Sequence, residues 1–169
     1  MKIVAFVPAK GYSERIKNKN LSILDGEYLF KRKLRQLLEC ARIDEVYLDT
    51  DSKELISLVD DLPVKILERP VELASNQTDG HELFAYECSQ VAADVYIQVL
   101  CTAPFVGAAT IDRALSCFLE SGAESLVAIR REKQYVWKNG VPDYGWGRIP
   151  NSVDLPSMDS ALHGFSVFL

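Results

Sequence analysis

Histidine is scarce in this chain, with His81 and His163 the only two in 169 residues. Two are too few for a histidine-based metal centre, and His81-Glu82 is followed by Ala85 where a zinc-protease helix needs its second histidine. The four cysteines, Cys40, Cys88, Cys101 and Cys117, are widely spaced within apolar patterns and form no C-x-x-C pair, which excludes a zinc knuckle and a dithiol redox motif. They read as buried, reduced thiols of a cytoplasmic protein. Long apolar runs are missing as well. The N-terminal MKIVAFVPAK is too short in its apolar part for a signal peptide and reads as a first strand, so nothing is expected to span or anchor to a membrane. An excess of positive charge is also lacking: the net charge is −5, which argues against a general nucleic-acid binder. Neither G-x-x-x-x-G-K-S/T nor G-x-G-x-x-G occurs, so P-loop ATPase and dinucleotide dehydrogenase have no motif behind them.

What is present is a globular composition, 48% hydrophobic, at a length that suits one domain with a substantial core. Ile3 to Val7 reads as a buried strand. Phe30, Leu34, Leu37, Leu38 and Ala41 then repeat with the period of an amphipathic helix. Further strands are expected at Val46 to Leu48, Val64 to Leu67, Asp94 to Leu100 and Ser125 to Ile129. Helices lie between them: one opened by Asp51 as a cap with Glu54 three residues on, one marked by Phe84, Cys88 and Val91, and one by Ile111, Leu115, Phe118 and Leu119. This alternation predicts an α/β fold, a three-layer, Rossmann-like domain with a mainly parallel sheet. Residues 131 to 161 break the pattern with Gly140, Pro142, Gly145, Gly147, Pro150 and Pro156 among Tyr135, Trp137, Tyr144 and Trp146. They read as an excursion of hairpin type from the core. Gly164 to Leu169 returns as a strand.

The densest chemistry sits at VPAKGYSERIKNKNL, residues 7 to 21, where the first strand runs into a loop holding Lys10, Arg15, Lys17 and Lys19 against Glu14 alone. Ligands of open α/β sheets bind beyond the carboxyl ends of strands, where lysine and arginine can hold phosphate oxygens. A nucleotide triphosphate loop is one reading and a solvated basic surface loop the other.

Pro8, Ala9, Lys10, Ser13, Arg15, Ile16, Lys19 and Asn20 match the loop P-A-R-x-x-S-x-R/G-I/L-x-x-K-N of the cytidylyltransferases that make CMP-sugar acids, the CMP-N-acetylneuraminate and CMP-Kdo synthetases. Lysine stands for the first arginine. Arg69-Pro70 with Leu73-Ala74 is similar to the family's R-P-x-x-L-A segment, and Gln98 with Thr102 and Pro104 resembles its Q-P-T-S-P stretch. The resemblance covers most of residues 3 to 130. It implies transfer of CMP from CTP to a sugar acid, N-acetylneuraminate-like, with release of pyrophosphate and help from Mg2+. It also implies that Lys10 and Lys19 carry the catalytic contacts to the triphosphate and that Arg15 is a third cation. Ala9 and Gly11 would offer backbone to the pyrimidine, Ser13 would belong to the same loop, and Asn20 would touch the nucleotide or brace the loop. Arg69 would contact the nucleotide, its alternative being a surface arginine before a turn. Gln98 would contact the sugar acid or nucleotide, or else be a polar residue satisfied within a buried strand. Thr102 and Pro104 would shape their loop. Related enzymes dimerise through an arm, which implies a homodimer using residues 131 to 161.

Two departures accompany the resemblance. Asn76 stands where many relatives have aspartate, and Gly80 lies near a common serine. Full enzymes of the family continue past a strand like Gly164 to Leu169 into a segment with magnesium-binding aspartates. The expectation that follows is low synthetase activity of the 169-residue chain, with apolar surface exposed near Phe165 and Phe168. Asp49 and Asp51 follow a strand and could in principle meet a metal, but Asp51 is better explained as a helix cap, and no metal ligand or general base is assigned. A catalytically weak or inactive nucleotide-binding protein of the same fold is the alternative function.

Overall fold

The computed structural model describes residues 1–13 and 16–169, with the side chains of residues 162 and 163 excepted. It divides into two compact units, Met1–Leu126 with His163–Leu169, and Val127–Leu162.

In the first unit, β1 (Ile3–Pro8) is followed by the basic loop, a short hairpin of β2 (Ile23–Leu24) and β3 (Glu27–Tyr28), and α1 (Leu29–Leu38). The chain then alternates through β4 (Glu45–Thr50), α2 (Lys53–Ser57), β5 (Lys65–Glu68), α3 (Gly80–Gln90), β6 (Val95–Val99) and α4 (Ala108–Ser121). β7 (Ser125–Glu132) and β10 (Met158–Phe168) run across the boundary between the units. The strand order is β5-β4-β1-β6-β10-β7. β5, β4, β1 and β6 pair in parallel, and β10 joins β6 antiparallel with Ser166 opposite Gln98. The α/β, mainly parallel architecture expected from the alternation is the one observed.

β1 explains why the sheet sits centrally. Ile3 to Val7 are all at most 3% exposed, so both alternating sets of side chains are covered and the strand must lie between two layers. Val4 and Phe6 face a cluster with Tyr47, Leu67, Phe84, Val91 and Tyr96, the last stacked on Phe6 at 6.3 Å. α1 packs on β1, β4 and α4 through the buried stripe Phe30, Leu34 and Leu37.

Three local expectations change. Asp51 does not cap α2; Ser52 does, its hydroxyl accepting from Leu55 N, while Asp51 Oδ1 accepts from Gly11 N at 2.9 Å. The β2–β3 hairpin was not expected, although Asp25-Gly26 at φ 50° and 79° is a two-residue turn signal. The apolar surface expected near Phe165 and Phe168 is covered: Phe165 is 5% exposed, and Phe168 lies 4.7 Å from Phe84, ring to ring. Of the thiols, Cys40 and Cys101 are buried as expected, but Cys88 is half-buried and Cys117 is exposed on α4.

The second unit, within residues 131 to 161, holds the hairpin β8 (Trp137–Lys138) and β9 (Val141–Pro142), turned by Asn139-Gly140 at φ 51° and 78°. Its aromatics meet one another edge to face, Tyr135 with Tyr144 and Trp137 with Trp146, each pair at 5.4 Å.

Candidate active site

β1 is the strand from which the chain first winds outward to β4 and β5 and then returns on the other side as β6. Such a reversal leaves a crevice at the carboxyl ends of the strands. A cleft of about 330 Å³ lies there. Pro8, Lys10, Lys19 and Asn20 line it from β1 and its loop, with Arg69, Gly80 and Leu83, then Gln98 and Leu100 to Thr102, and finally Phe165 and Ser166 from β10. Three of these groups are cationic and none is a carboxylate.

The loop is built inward from its backbone. Ala9 N donates to Asp49 O at 2.8 Å, and the Ala9 side chain is fully buried. Gly11 is held by its bond to Asp51, and a Cβ there would stand 2.8 Å from Ser52 Cβ, so the position has no room for a side chain. Neither Ala9 nor Gly11 lines the cleft; both amides are engaged by the β4 end of the sheet. Ser13 is buried. Arg15 lies outside the described residues. The loop closes in a 3-10 turn, Lys19–Leu21, after Asn18 in left-handed geometry at φ 52°. Asn20 braces it: Nδ2 donates to Lys10 O at 2.7 Å, and Oδ1 accepts from Cys101 Sγ at 3.0 Å. That ties the β1 loop to the β6 loop on the opposite wall.

Lys10 Nζ bonds Asn76 Oδ1, so a neutral amide faces the loop lysine. Lys19 is half-buried and lines the wall. Gly80 opens α3 beneath Asp79, whose carboxylate accepts from His81 N and Glu82 N and is thereby held below its usual range.

Arg69 is not a surface arginine. It is 7% exposed and forked onto the fully buried Asp49, Nε to Oδ1 at 2.9 Å and Nη2 to Oδ2 at 2.6 Å, with Nη1 outside that fork. Gln98 Nε2 donates to Glu87 Oε2 at 2.6 Å. Glu87 is fully buried, and burial first, then the neighbouring Asp49, raises its carboxyl to about 9. On the other wall Lys33 is fully buried, lowered to about 8 by desolvation. It donates to Gln36 Oε1 at 2.6 Å, Ala103 O at 2.9 Å and Val106 O at 2.6 Å, while Gln36 Nε2 reaches Pro104 O at 3.0 Å. The Thr102–Pro104 loop is shaped from below by these two α1 residues.

Asp49, Lys33 and Glu87 were not singled out by motif. For the last two a signal existed: each is an ionisable residue on an apolar helical stripe, Phe30-Lys33-Leu34-Leu37 and Phe84-Glu87-Val91.

Magnesium needs several hard oxygen donors. Among the described residues there is no cluster of three or more histidine, cysteine, aspartate or glutamate side chains able to hold a metal. Asp49 is spent on Arg69 and Asp51 accepts from Gly11. The described residues therefore do not make a magnesium cage. Among them, too, no helix is long and apolar enough to cross a membrane.

The family model described as cytidylyltransferase matches residues 4–142. The chain is 30% identical over 122 residues to 3-deoxy-manno-octulosonate cytidylyltransferase of Chlorobaculum parvum, covering 72% of this chain and 48% of that protein. It is 32% identical over 123 residues to the same enzyme of Chloroherpeton thalassium, covering 73% and 48%. The chain thus spans about half the length of these curated relatives. In fold it is similar to CMP:2-keto-3-deoxy-manno-octonic acid synthetase in complex with CTP, at TM-score 0.75 and 16% identity, over 99% of this chain and 74% of that one. It is also similar to bifunctional IspDF from Campylobacter jejuni, at TM-score 0.72 and 9% identity, over 99% and 41%. With a family model spanning the loop, most of the residues that line the cleft and most of the sheet, this chain belongs to the cytidylyltransferase family.

Proposed function

We propose that the cleft binds the triphosphate of CTP and serves transfer of CMP to a sugar acid, with release of pyrophosphate. The observation that carries this is the cleft wall itself: Lys10, Lys19 and Arg69 converge with no carboxylate among the lining residues, at the strand ends where such folds take their ligands. Charge neutralisation by fixed cations and alignment of the α-phosphorus with an acceptor hydroxyl are what this chemistry requires of a protein. The acceptor we propose is 3-deoxy-manno-octulosonate or a close analogue rather than N-acetylneuraminate, because the relatives reported above are named for the former. Mg2+ would supply further charge neutralisation on the phosphates. The described carboxylates form no cage for it.

The engagement of Asp49 by Arg69 and of Asp51 by Gly11 favours one second reading, a nucleotide-binding protein of weak catalysis. We also propose a homodimer that uses residues 131 to 161, supported by Trp137 and Trp146 at 54% and 72% exposure, and a cytoplasmic setting, which suits four free thiols.

Pyrophosphate release with CTP, Mg2+ and a panel of sugar acids tests the enzyme reading, and thermal shift with CTP, ATP and GTP tests the nucleotide. Release with 3-deoxy-manno-octulosonate is the expected result. A CTP-selective shift without release on any acid supports the second reading, and equal shifts with every nucleotide, or none, overturn pyrimidine recognition. A monomer in sedimentation at high concentration overturns the dimer.

A further inference from the structure

Behind the cleft wall lie two fully buried carboxyl groups. Asp49, from β4, and Glu87, from α3, are both fully buried, and the Asp49 carboxylate is near enough to act with burial in raising the Glu87 carboxyl. Arg69 neutralises only the first, through its fork. A second carboxylate at this point would be an unpaired buried charge, which costs several kcal/mol. A carboxylic acid has no such cost. Its Oε2 accepts from Gln98, as observed at 2.6 Å, and its Oε1, which is buried with no donor directed at it, is left to carry the proton and donate to Asp49.

We propose that Glu87 is a positioning residue held as the neutral acid, whose O–H to Asp49 and carbonyl contact from Gln98 lock Arg69 and Gln98 into the cleft wall that receives the nucleotide. The inference rests on the proposed CTP site for its functional half. Its structural half stands on the network alone. Arg69 and Gln98 both line the cleft, and among the described residues one is fixed by Asp49 and the other by Glu87; the proposed Glu87 O–H to Asp49 would join the two. The ionisable or polar groups around Glu87 are Asp49 from β4, Arg69 beyond β5 and Gln98 from β6, with Cys88 next to it on α3 and Tyr86, whose hydroxyl donates to Glu68 O. Burial raises the Glu87 carboxyl most and Asp49 adds to this, while Gln98 and Arg69 act the other way; the balance stands at about 9. The neutral acid is therefore the form present at neutral pH. Glutamine reproduces this pattern with its own NH2 toward Asp49 and its carbonyl toward Gln98, whereas leucine leaves both partners unsatisfied.

The test uses the 169-residue protein with carbon-13-labelled glutamate, Glu87 being assigned by the signal missing from Glu87→Gln. Its carboxyl resonance is expected not to move while the other glutamates titrate, and to move only as pH approaches about 9. Titration near the ordinary glutamate value of 4.5 overturns the inference. The Gln98 side-chain amide is expected to be a single, fixed signal in wild type and Glu87→Gln, and motionally averaged in Glu87→Leu; an unchanged amide in Glu87→Leu overturns the locking role. CTP affinity by calorimetry is expected to stay within about twofold in Glu87→Gln and to fall about tenfold or more in Glu87→Leu, as when buried partners lose a bond. Should Glu87→Leu not fold, the carboxyl titration and the rescue by Glu87→Gln still decide. If the unsubstituted protein fails to bind CTP, the proposed function falls, and the carboxyl and amide signals judge the network independently.

Discussion

Arg69 and Asp49 form a two-bond fork, Nε to Oδ1 at 2.9 Å and Nη2 to Oδ2 at 2.6 Å, that is almost wholly withdrawn from water. Arg69 leads from β5 into the following loop and Asp49 is the next-to-last residue of β4, so the pair pins the loop's start to the sheet. A group in this position has two jobs at once, wall of the cleft and staple of the fold.

Removing either partner strands the other as a buried charge, which costs about 3–5 kcal/mol. Asp49→Ala and Arg69→Ala are therefore expected to lose stability by that order in urea titrations. Arg69→Lys is expected to be intermediate, because an ammonium cannot make the fork. A loss below about 1 kcal/mol for Asp49→Ala would show that the pair is hydrated. Loss of CTP binding in Arg69→Ala has meaning only beside this stability measurement.

Gly11 and Ser52 are in contact for a different reason. A Cβ on residue 11 would stand 2.8 Å from Ser52 Cβ, and Ser52 begins α2 as its cap. Gly11→Ala is expected to cost about 1–3 kcal/mol through overpacking and to weaken CTP binding by displacing Lys10 beside it. Ser52→Gly alone is expected to cost about 0.3 kcal/mol, glycine being tolerated at a cap. The double variant should recover part of the Gly11→Ala loss, and thermal melts with and without CTP read both effects. Strict additivity would mean that the alanine is accommodated elsewhere.

Much of this was legible before any coordinates. The β-α alternation gave the fold because each strand carries a short apolar run and each helix a stripe of period 3.6, both local signals. Lys10, Lys19, Asn20, Arg69 and Gln98 share one cleft because parallel strands deliver their carboxyl ends to a common edge. What escaped was partnership across the sheet. Nothing in the motif says that Asp49, twenty residues upstream, neutralises Arg69; that Asn20 braces the loop was one of its two readings, but the motif does not name Cys101 Sγ as a partner beside Lys10 O. The capping of α2 was misread by one residue because aspartate and serine are both good caps and sequence cannot tell which hydroxyl or carboxylate turns inward.

The thiols offer a check on the α4 face. Cys117 is exposed, Cys88 half-buried, and Cys40 and Cys101 buried. Burial pushes Cys40 to about 12 and Cys88 to about 11, which withholds the reactive thiolate near neutral pH. An aromatic disulfide reagent is expected to label Cys117 first, Cys88 more slowly, and Cys40 and Cys101 only after unfolding. Fast labelling of Cys40 with Cys117 protected would show that α4 presents the opposite face.

Stability against pH should follow opposing contributions from two glutamates. Glu87 is raised from 4.5 to about 9 in the fold, so between those values the folded protein keeps a proton that the unfolded chain has released. Its stabilisation is complete below about 4.5 and is lost as pH rises to about 9. Glu45 runs the other way. Its bonds from Lys65, Lys2 and Tyr47 hold it at about 2, so its stabilisation is present above 4.5 and lost as pH falls toward about 2. Urea midpoints are therefore expected to trace a dome. Glu87→Gln should flatten the alkaline descent and leave the acid limb in place, while Glu45→Gln should soften the acid limb and leave the alkaline descent. An alkaline limb that persists unchanged in Glu87→Gln would mean that this carboxyl is already ionised in the folded protein, and that Arg69 is neutralising two carboxylates rather than one.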